Sequence, residues 1–269
     1  MNVQNVRTAW LTVVLGAICS PLFVAAAGTP ESMEFEYRNI SSLEINAGIF
    51  DVTVRSAPGN SVSVTVSDIP RGFRVSEQER FNTAAVSIRG RNTWLSRAGK
   101  SPTIDIILPS GIDLDVASVS GSISVDGARG SIALRSTSGS ITAKRAGGEV
   151  AVETASGNVG IDEVTGTLRF ETASGNVTIE RFRGTLDGRT ASGAIEGTSL
   201  QLIADTRLRS ASGDITIDVD NDLRDFRYIL RSTSGRVVLG NLRGERTLQG
   251  GNGRFLIDAV TASGSIVIR

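Results

Sequence analysis

The segments SGSISVDGARGSIALRST (120–137), SGSITAKRAGGEVAVETA (138–155), SGNVGIDEVTGTLRFETA (156–173) and SGNVTIERFRGTLDGRTA (174–191) repeat one pattern four times, at a period of 18 residues. A fixed period in this range marks a solenoid, whose units bury their apolar faces only by stacking on one another. Within each unit the apolar residues fall in two alternating pairs. Ile123/Val125, Ile141/Ala143, Val159/Ile161 and Val177/Ile179 form the first set, and Ile132/Leu134, Val150/Val152 and Leu168/Phe170 the second. Alternation with β-branched enrichment predicts two strands per unit, each with one buried face. A further column, Ala128, Ala146, Val164 and Phe182, is expected to tuck inward at a corner.

Glycine recurs every nine residues, at 121, 139, 157 and 175 after serine and at 130, 148, 166 and 184 between the strands. These positions are expected to be corners that need positive φ. The repeated serines, Ser120, Ser138, Ser156 and Ser174 among them, are expected to hydrogen-bond the turn backbone rather than act as nucleophiles, because a nucleophile is one residue beside a base. The reading is an all-β chain forming a single parallel β-solenoid with two-strand rungs of about 18 residues. Residues 110–269 hold the regular repeats, and residues 34–109 are less regular rungs and an N-terminal cap in which alternation persists, as in SVSVTVS at 61–67.

The N-terminus carries Arg7, an apolar run from Ala9 to Val24 and Ala25, Ala26 and Ala27. This is the pattern of a secretory signal peptide, 1–27, cleaved after Ala27 and followed by a short leader, 28–33. Cys19 is the only cysteine and follows Ile18, which argues against lipidation, so the mature chain holds no thiol. With Arg7 removed, 27 basic residues face 28 acidic ones, a net charge of −1 that gives no global pull toward nucleic acid. No second long apolar segment anchors the mature chain, so stable membrane insertion is not expected. Export to the periplasm or the cell surface follows as an expectation.

The chain has no histidine, which removes the commonest general base and the usual metal ligand, and no cofactor or catalytic residue is assigned. Hexapeptide solenoids need an apolar residue every six positions, and Thr165 and Arg183 break that frame. Calcium-binding nonapeptide rolls need GGxGxD turns, and these turns read SGN and SGS. Arg135, Glu153, Glu171, Arg189, Arg209 and Arg231 are expected to form one outward column of weakly paired charges. Asp218, Asp220, Asp222 and Asp225 alternate in the manner of cation ligands, but an EF-hand would need glycine at Leu223 and glutamate at Ile229. They are read as a solvated acidic turn.

Two places invite contacts. The segment 91–101 sets Trp94 among Arg91, Arg97 and Lys100, an aromatic beside cations that either suits a sugar ring or an anionic partner, or folds back over an open end of the core and leaves the cations solvated. The segments 192–211 and 212–233 lengthen the period to 20 and 22 residues, and insertions in solenoids map to one side, often the interacting one. Residues 234–251 return to 18. The chain ends in SGSIVIR, which puts Ile266 and Ile268 in the buried columns of a last rung that is either an open edge, a site for strand addition or self-association, or closed by side chains of neighbouring loops.

With its SG-[NDS]-[IV]-x-[IV] turns and the lead-in LPSGIDLDVASVSG at 108–121, the chain resembles the toast-rack family of adhesin-like bacterial proteins over roughly residues 34–269. The resemblance implies a parallel β-solenoid exported to the envelope, and it brings no catalytic residues. The functional expectation is a non-enzymatic scaffold that binds an envelope protein or glycan. The alternatives are an accessory protein of an envelope-stress or signalling system and, less well supported, a β-helical polysaccharide-cleaving enzyme.

Overall fold

The computed structural model describes residues 32–90 and 101–269. Strands dominate, and the one helical turn among the described residues is a 3-10 turn at Leu223–Asp225. The chain winds between two parallel ladders that face each other across a core. In spatial order the first ladder runs Thr103–Leu108, Asp51–Ser56, Ile123–Asp126, Ile141–Lys144, Val159–Asp162, the start of Val177–Ser192, Ile195–Leu202, Ile215–Val219, Ile266–Ile268 and Val237–Leu239. The second runs Thr83–Gly90, Ser42–Gly48, Asp113–Ser118, Ser131–Ser136, Gly147–Thr154, Thr165–Thr172, the end of Val177–Ser192, Thr206–Ser212, Phe255–Thr261 and Phe226–Ser232. Like residues stack over like: Ile123, Ile141, Val159, Val177 and Ile195 form one buried column. The column Ala128, Ala146, Val164, Phe182 is also buried.

Core columns compensate in volume from rung to rung. Phe170 is buried directly over Gly188, whose missing side chain leaves the room, since a Cβ there would lie 2.0 Å from the Phe170 ring.

Both ends are interleaved. Strands Ser42–Gly48 and Asp51–Ser56 lie between the rung at 83–108 and the rung at 113–126, so the first rung in sequence is second in space. At the far end Phe255–Thr261 and Ile266–Ile268 slot between the rungs at 206–219 and 226–239. The expectation of an open C-terminal edge is therefore corrected: Ile266–Ile268 is hydrogen-bonded on both sides, to Ile215–Val219 and to Val237–Leu239. The true edges are antiparallel strands, Met33–Arg38 and Phe73–Arg80 at one end, Leu242–Gly244 and Thr247–Gly250 at the other.

This interleaving accounts for the irregular periods. From 219 to 226 the chain passes over the place that 255–268 will fill, climbing two strand spacings, or about 9.6 Å, instead of one. The 22-residue unit supplies the extra length through the 3-10 turn, whose N-cap Asp222 accepts a hydrogen bond from the Arg224 N–H at 2.9 Å. Residues 234–251 match the period but are not a regular rung. After Val237–Leu239 the chain reverses at Gly240, φ +53°, and returns antiparallel.

The glycines at 121, 139, 157 and 175 also correct an expectation, because none has positive φ. They are needed for closeness: a Cβ on Gly139, Gly157 or Gly175 would lie 2.0–2.1 Å from the carbonyl oxygen of the glycine one rung before. In the other corner, Gly148 and Gly166 do adopt positive φ, at +89° and +128°, whereas Gly130 does not. The serines before the SG glycines are exposed. Two of the turns are tied instead by a buried hydroxyl two residues earlier: the Gly139 N–H donates to Ser136 Oγ at 2.8 Å, and the Gly157 N–H to Thr154 Oγ1 at 3.0 Å, whereas the equivalent Thr172 and Thr190 hydroxyls find no partner among the described residues.

Candidate interaction surface

The two long corners of the stack differ in chemistry. The corner at the SG turns exposes Ala155, Ala173 and Ala191 beside Ser156, Ser174 and Ser192, and carries no charge there. The opposite corner, between the first ladder and the second, is charged and conformationally unusual. Arg145, Glu163, Arg181 and Ser199 stand 18 residues apart, all with φ between +48° and +55°. Gly127, φ +84°, opens the same column. Left-handed backbone is disfavoured for residues with a Cβ, so four non-glycine residues in one such column are a local departure from propensity.

The side chains of this column reach back across the rungs. Arg145 pairs with Asp126, and Arg181 pairs with Asp162 and lies 3.4 Å from Glu163 and 3.5 Å from Glu180. The arginine of each pair stays half-exposed or more, so each pair contributes little to stability. Its effect is to fix where the charges sit. Beside the column the ridge of side chains is interrupted at Gly147 and Gly148, leaving a groove of about 600 Å³ lined by Arg129, Arg145, Glu163 and Thr165. Arg129 makes no ion pair among the described residues. Two guanidiniums, a carboxylate and a hydroxyl in one shallow groove can hydrogen-bond a carboxylate together with neighbouring hydroxyls.

The expected contact residues Arg91, Trp94, Arg97 and Lys100 lie outside the described residues, as does the Ala27 cleavage position. The acidic turn resolves into separate contacts. Asp222 binds Arg224, and the hydrogen bonds from that side chain and from its backbone N–H hold the Asp222 carboxyl down at about 2. Asp218 lies 3.9 Å from Arg269. The charged column on the second ladder stacks Arg135, Glu153, Glu171, Arg189 and Arg209 in consecutive register, but Val260 separates Arg209 from Arg231. Arg135 pairs with Asp115 at 2.6 Å rather than with Glu153.

Arg129, Arg145 and Glu163 were not among the residues singled out from sequence. The signal was nonetheless present: Gly127 precedes Ala128 in the first repeat, and the same position in later repeats is Arg145, Glu163 and Arg181. A glycine that aligns with charged residues in one column marks the left-handed corner.

The Toastrack DUF4097 family model matches residues 40–269. The chain belongs to this family. No curated protein matches this Toastrack chain. Among solved structures, an adhesin candidate from Bacteroides fragilis is similar at 14% identity, covering 88% of this chain and 96% of its own, with a TM-score of 0.48. An adhesin candidate from Parabacteroides distasonis is similar at 12% identity, covering 90% and 98%, with a TM-score of 0.44. A candidate lipid-binding protein from the same organism is similar at 12% identity, covering 90% and 97%, with a TM-score of 0.36. The assignment to the Toastrack family rests on the sequence match.

Proposed function

We propose that this Toastrack protein is an exported, adhesin-like scaffold that binds an envelope protein or glycan in the periplasm or at the cell surface and carries out no chemistry of its own. The observation that carries the reading is the charged corner, where one column of left-handed residues holds Arg145, Glu163 and Arg181 at fixed spacing beside the groove at Gly147. Strain of this kind persists only where the surrounding structure enforces it, and it concentrates at working surfaces. The ladders supply the enforcement, since every rung is paired on both sides along residues 123–192. Export is supported by the signal-peptide pattern at 1–27, with residues 34–269 acting as one body after cleavage. No helix of the described residues is long and apolar enough to cross a membrane.

The test places a photo-crosslinking residue at Thr165 of the tagged protein in its native envelope, with Gly147→Gln as the blocked control. Gln is the residue at the same column in Gln201, and a Cβ at Gly147 meets nothing nearer than 3.6 Å, so the variant folds and fills the groove. Enrichment of glycan or heterogeneous surface material over the control supports the scaffold. Enrichment of one discrete protein of a stress or signalling system, and of nothing else, supports the accessory-protein alternative. Identical capture by both proteins removes the groove from the account.

A further inference from the structure

Phe81 is fully exposed and adopts φ +52°, in the two-residue turn joining the edge strand Phe73–Arg80 to Thr83–Gly90. A bulky side chain in left-handed backbone at a position that buries nothing is doubly unfavourable. Asn82 in the same turn accepts backbone hydrogen bonds from Ser41 and Ser42, at 2.7 and 3.2 Å, so the turn is held and the ring is presented. At the other end of the stack lies a hollow of about 390 Å³ lined by Leu223, Phe226, Tyr228, Leu239 and a half-exposed Leu242, together with Arg224 and Asn241.

The register relates the two features. Thr83 stacks through Ser42, Asp113, Ser131, Glu149 and Thr167 to Thr185, and the same register continues past Asp205, which accepts from the Leu256 N–H, to Arg227, so the turn at Phe81 and the chain entering Phe226 occupy the same long corner. They stand at opposite ends of it, on the order of 50 Å apart at about 4.8 Å per strand. A second copy displaced along the stack axis therefore brings its Phe81 to this hollow. The strand entering the turn is balanced, with Arg74 and Arg80 against Glu77 and Glu79, while residues 222–254 hold seven arginines against three carboxylates, so the contact is carried by the ring and the hollow rather than by charge. The unpaired edges Phe73–Arg80 and Thr247–Gly250 end the same ladder at its two ends, so the displacement also sets edge against edge.

We propose that the hollow at the 222–251 end receives Phe81 of a second copy of this chain, giving head-to-tail association. The two surfaces are different patches, so the contact is heterologous and does not close on itself. The contact is small and belongs to the weak class of interfaces. It goes beyond the ligand-binding reading and does not depend on the groove at Gly147.

The test is sedimentation of residues 28–269 over about a hundred-fold concentration range, for the unmodified chain, Phe81→Asn and Leu242→Asn. Asparagine suits the left-handed turn and Leu242 is half-exposed, so both variants fold, and circular dichroism checks this. The expected result is a mass that rises beyond the dimer for the unmodified chain and a monomer for each variant alone. Mixing the variants then restores association, limited to the dimer, because one supplies an intact knob and the other an intact hollow. A monomeric unmodified chain at every concentration, or a mixture that stays monomeric, overturns the proposal. So does binding of the monomer to phosphatidylglycerol vesicles that is lost in Phe81→Asn without any self-association.

Discussion

At Gly157 a methyl group would fall 2.0 Å from the carbonyl oxygen of Gly139, and at Gly160, three residues along the same rung, it would sit in ordinary contact at 3.7 Å. Neither residue has positive φ, so the contrast isolates packing from backbone strain. Gly157→Ala is expected to cost about 1–3 kcal/mol by forcing two rungs apart, and Gly160→Ala to stay within about 0.5 kcal/mol, as read from urea melts. The pair Phe170 and Gly188 offers a second test. Gly188→Ala drives a Cβ into the Phe170 ring and is expected to cost about 1–3 kcal/mol. Phe170→Leu in the same chain should recover part of that loss, and additive penalties in the double-mutant cycle would refute the volume exchange.

At the scale of elements, the edges are held by individual ties. Tyr37 on Met33–Arg38 donates to Glu77 on Phe73–Arg80 at 2.9 Å, joining the ends of the two ladders. Burial first, then the charge of Glu77 and its hydrogen bond, raises the Tyr37 pKa well above its ordinary value near 10. A raised folded pKa means that the tie contributes fully below pH about 10 and is lost progressively as the pH rises above it. Tyr37→Phe is therefore expected to lose about 1 kcal/mol at neutral pH and to show a shallower alkaline decline in stability, followed by melting temperature from pH 8 upward. The strand Ile266–Ile268 gives the complementary case. Deleting residues 263–269 removes an interior strand and leaves Ile215–Val219 and Val237–Leu239 without their shared partner. Hydrogen exchange should then show both of those strands losing protection while 141–180 keeps it. Unchanged protection at 215–219 would contradict the interleaved order.

The repeat at 120–191 made the rungs, the buried columns and the corner positions readable, because each apolar pair recurs at the same offset and stacks on its own kind. Three things were hidden, each for a physical reason. The order of the end rungs depends on long-range pairing that leaves no periodic trace: Ser42–Gly48 meets Asp113–Ser118 about 70 residues away. Residues 234–251 have the length of a rung yet reverse direction, since a single left-handed Gly240 decides the path. The charged corner was obscured because its left-handed positions hold arginine, glutamate and serine where glycine would have announced them.

At the scale of the whole molecule, the interleaved ends govern how such a chain can change in length. The last residues are gripped by rungs on both sides, so a further repeat appended after Arg269 has no ladder to extend. The middle is different, because residues 138–184 meet their neighbours through identical 18-residue steps. Duplicating 156–173 in place is expected to give a folded protein with one more rung, lengthened by about 4.8 Å and measurable by small-angle scattering. The same segment fused to the C-terminus should remain protease-sensitive. In this architecture a new unit can be admitted only from within: the two ends hold a fixed order, and the room for insertion lies at the centre, where neighbouring repeats read most alike.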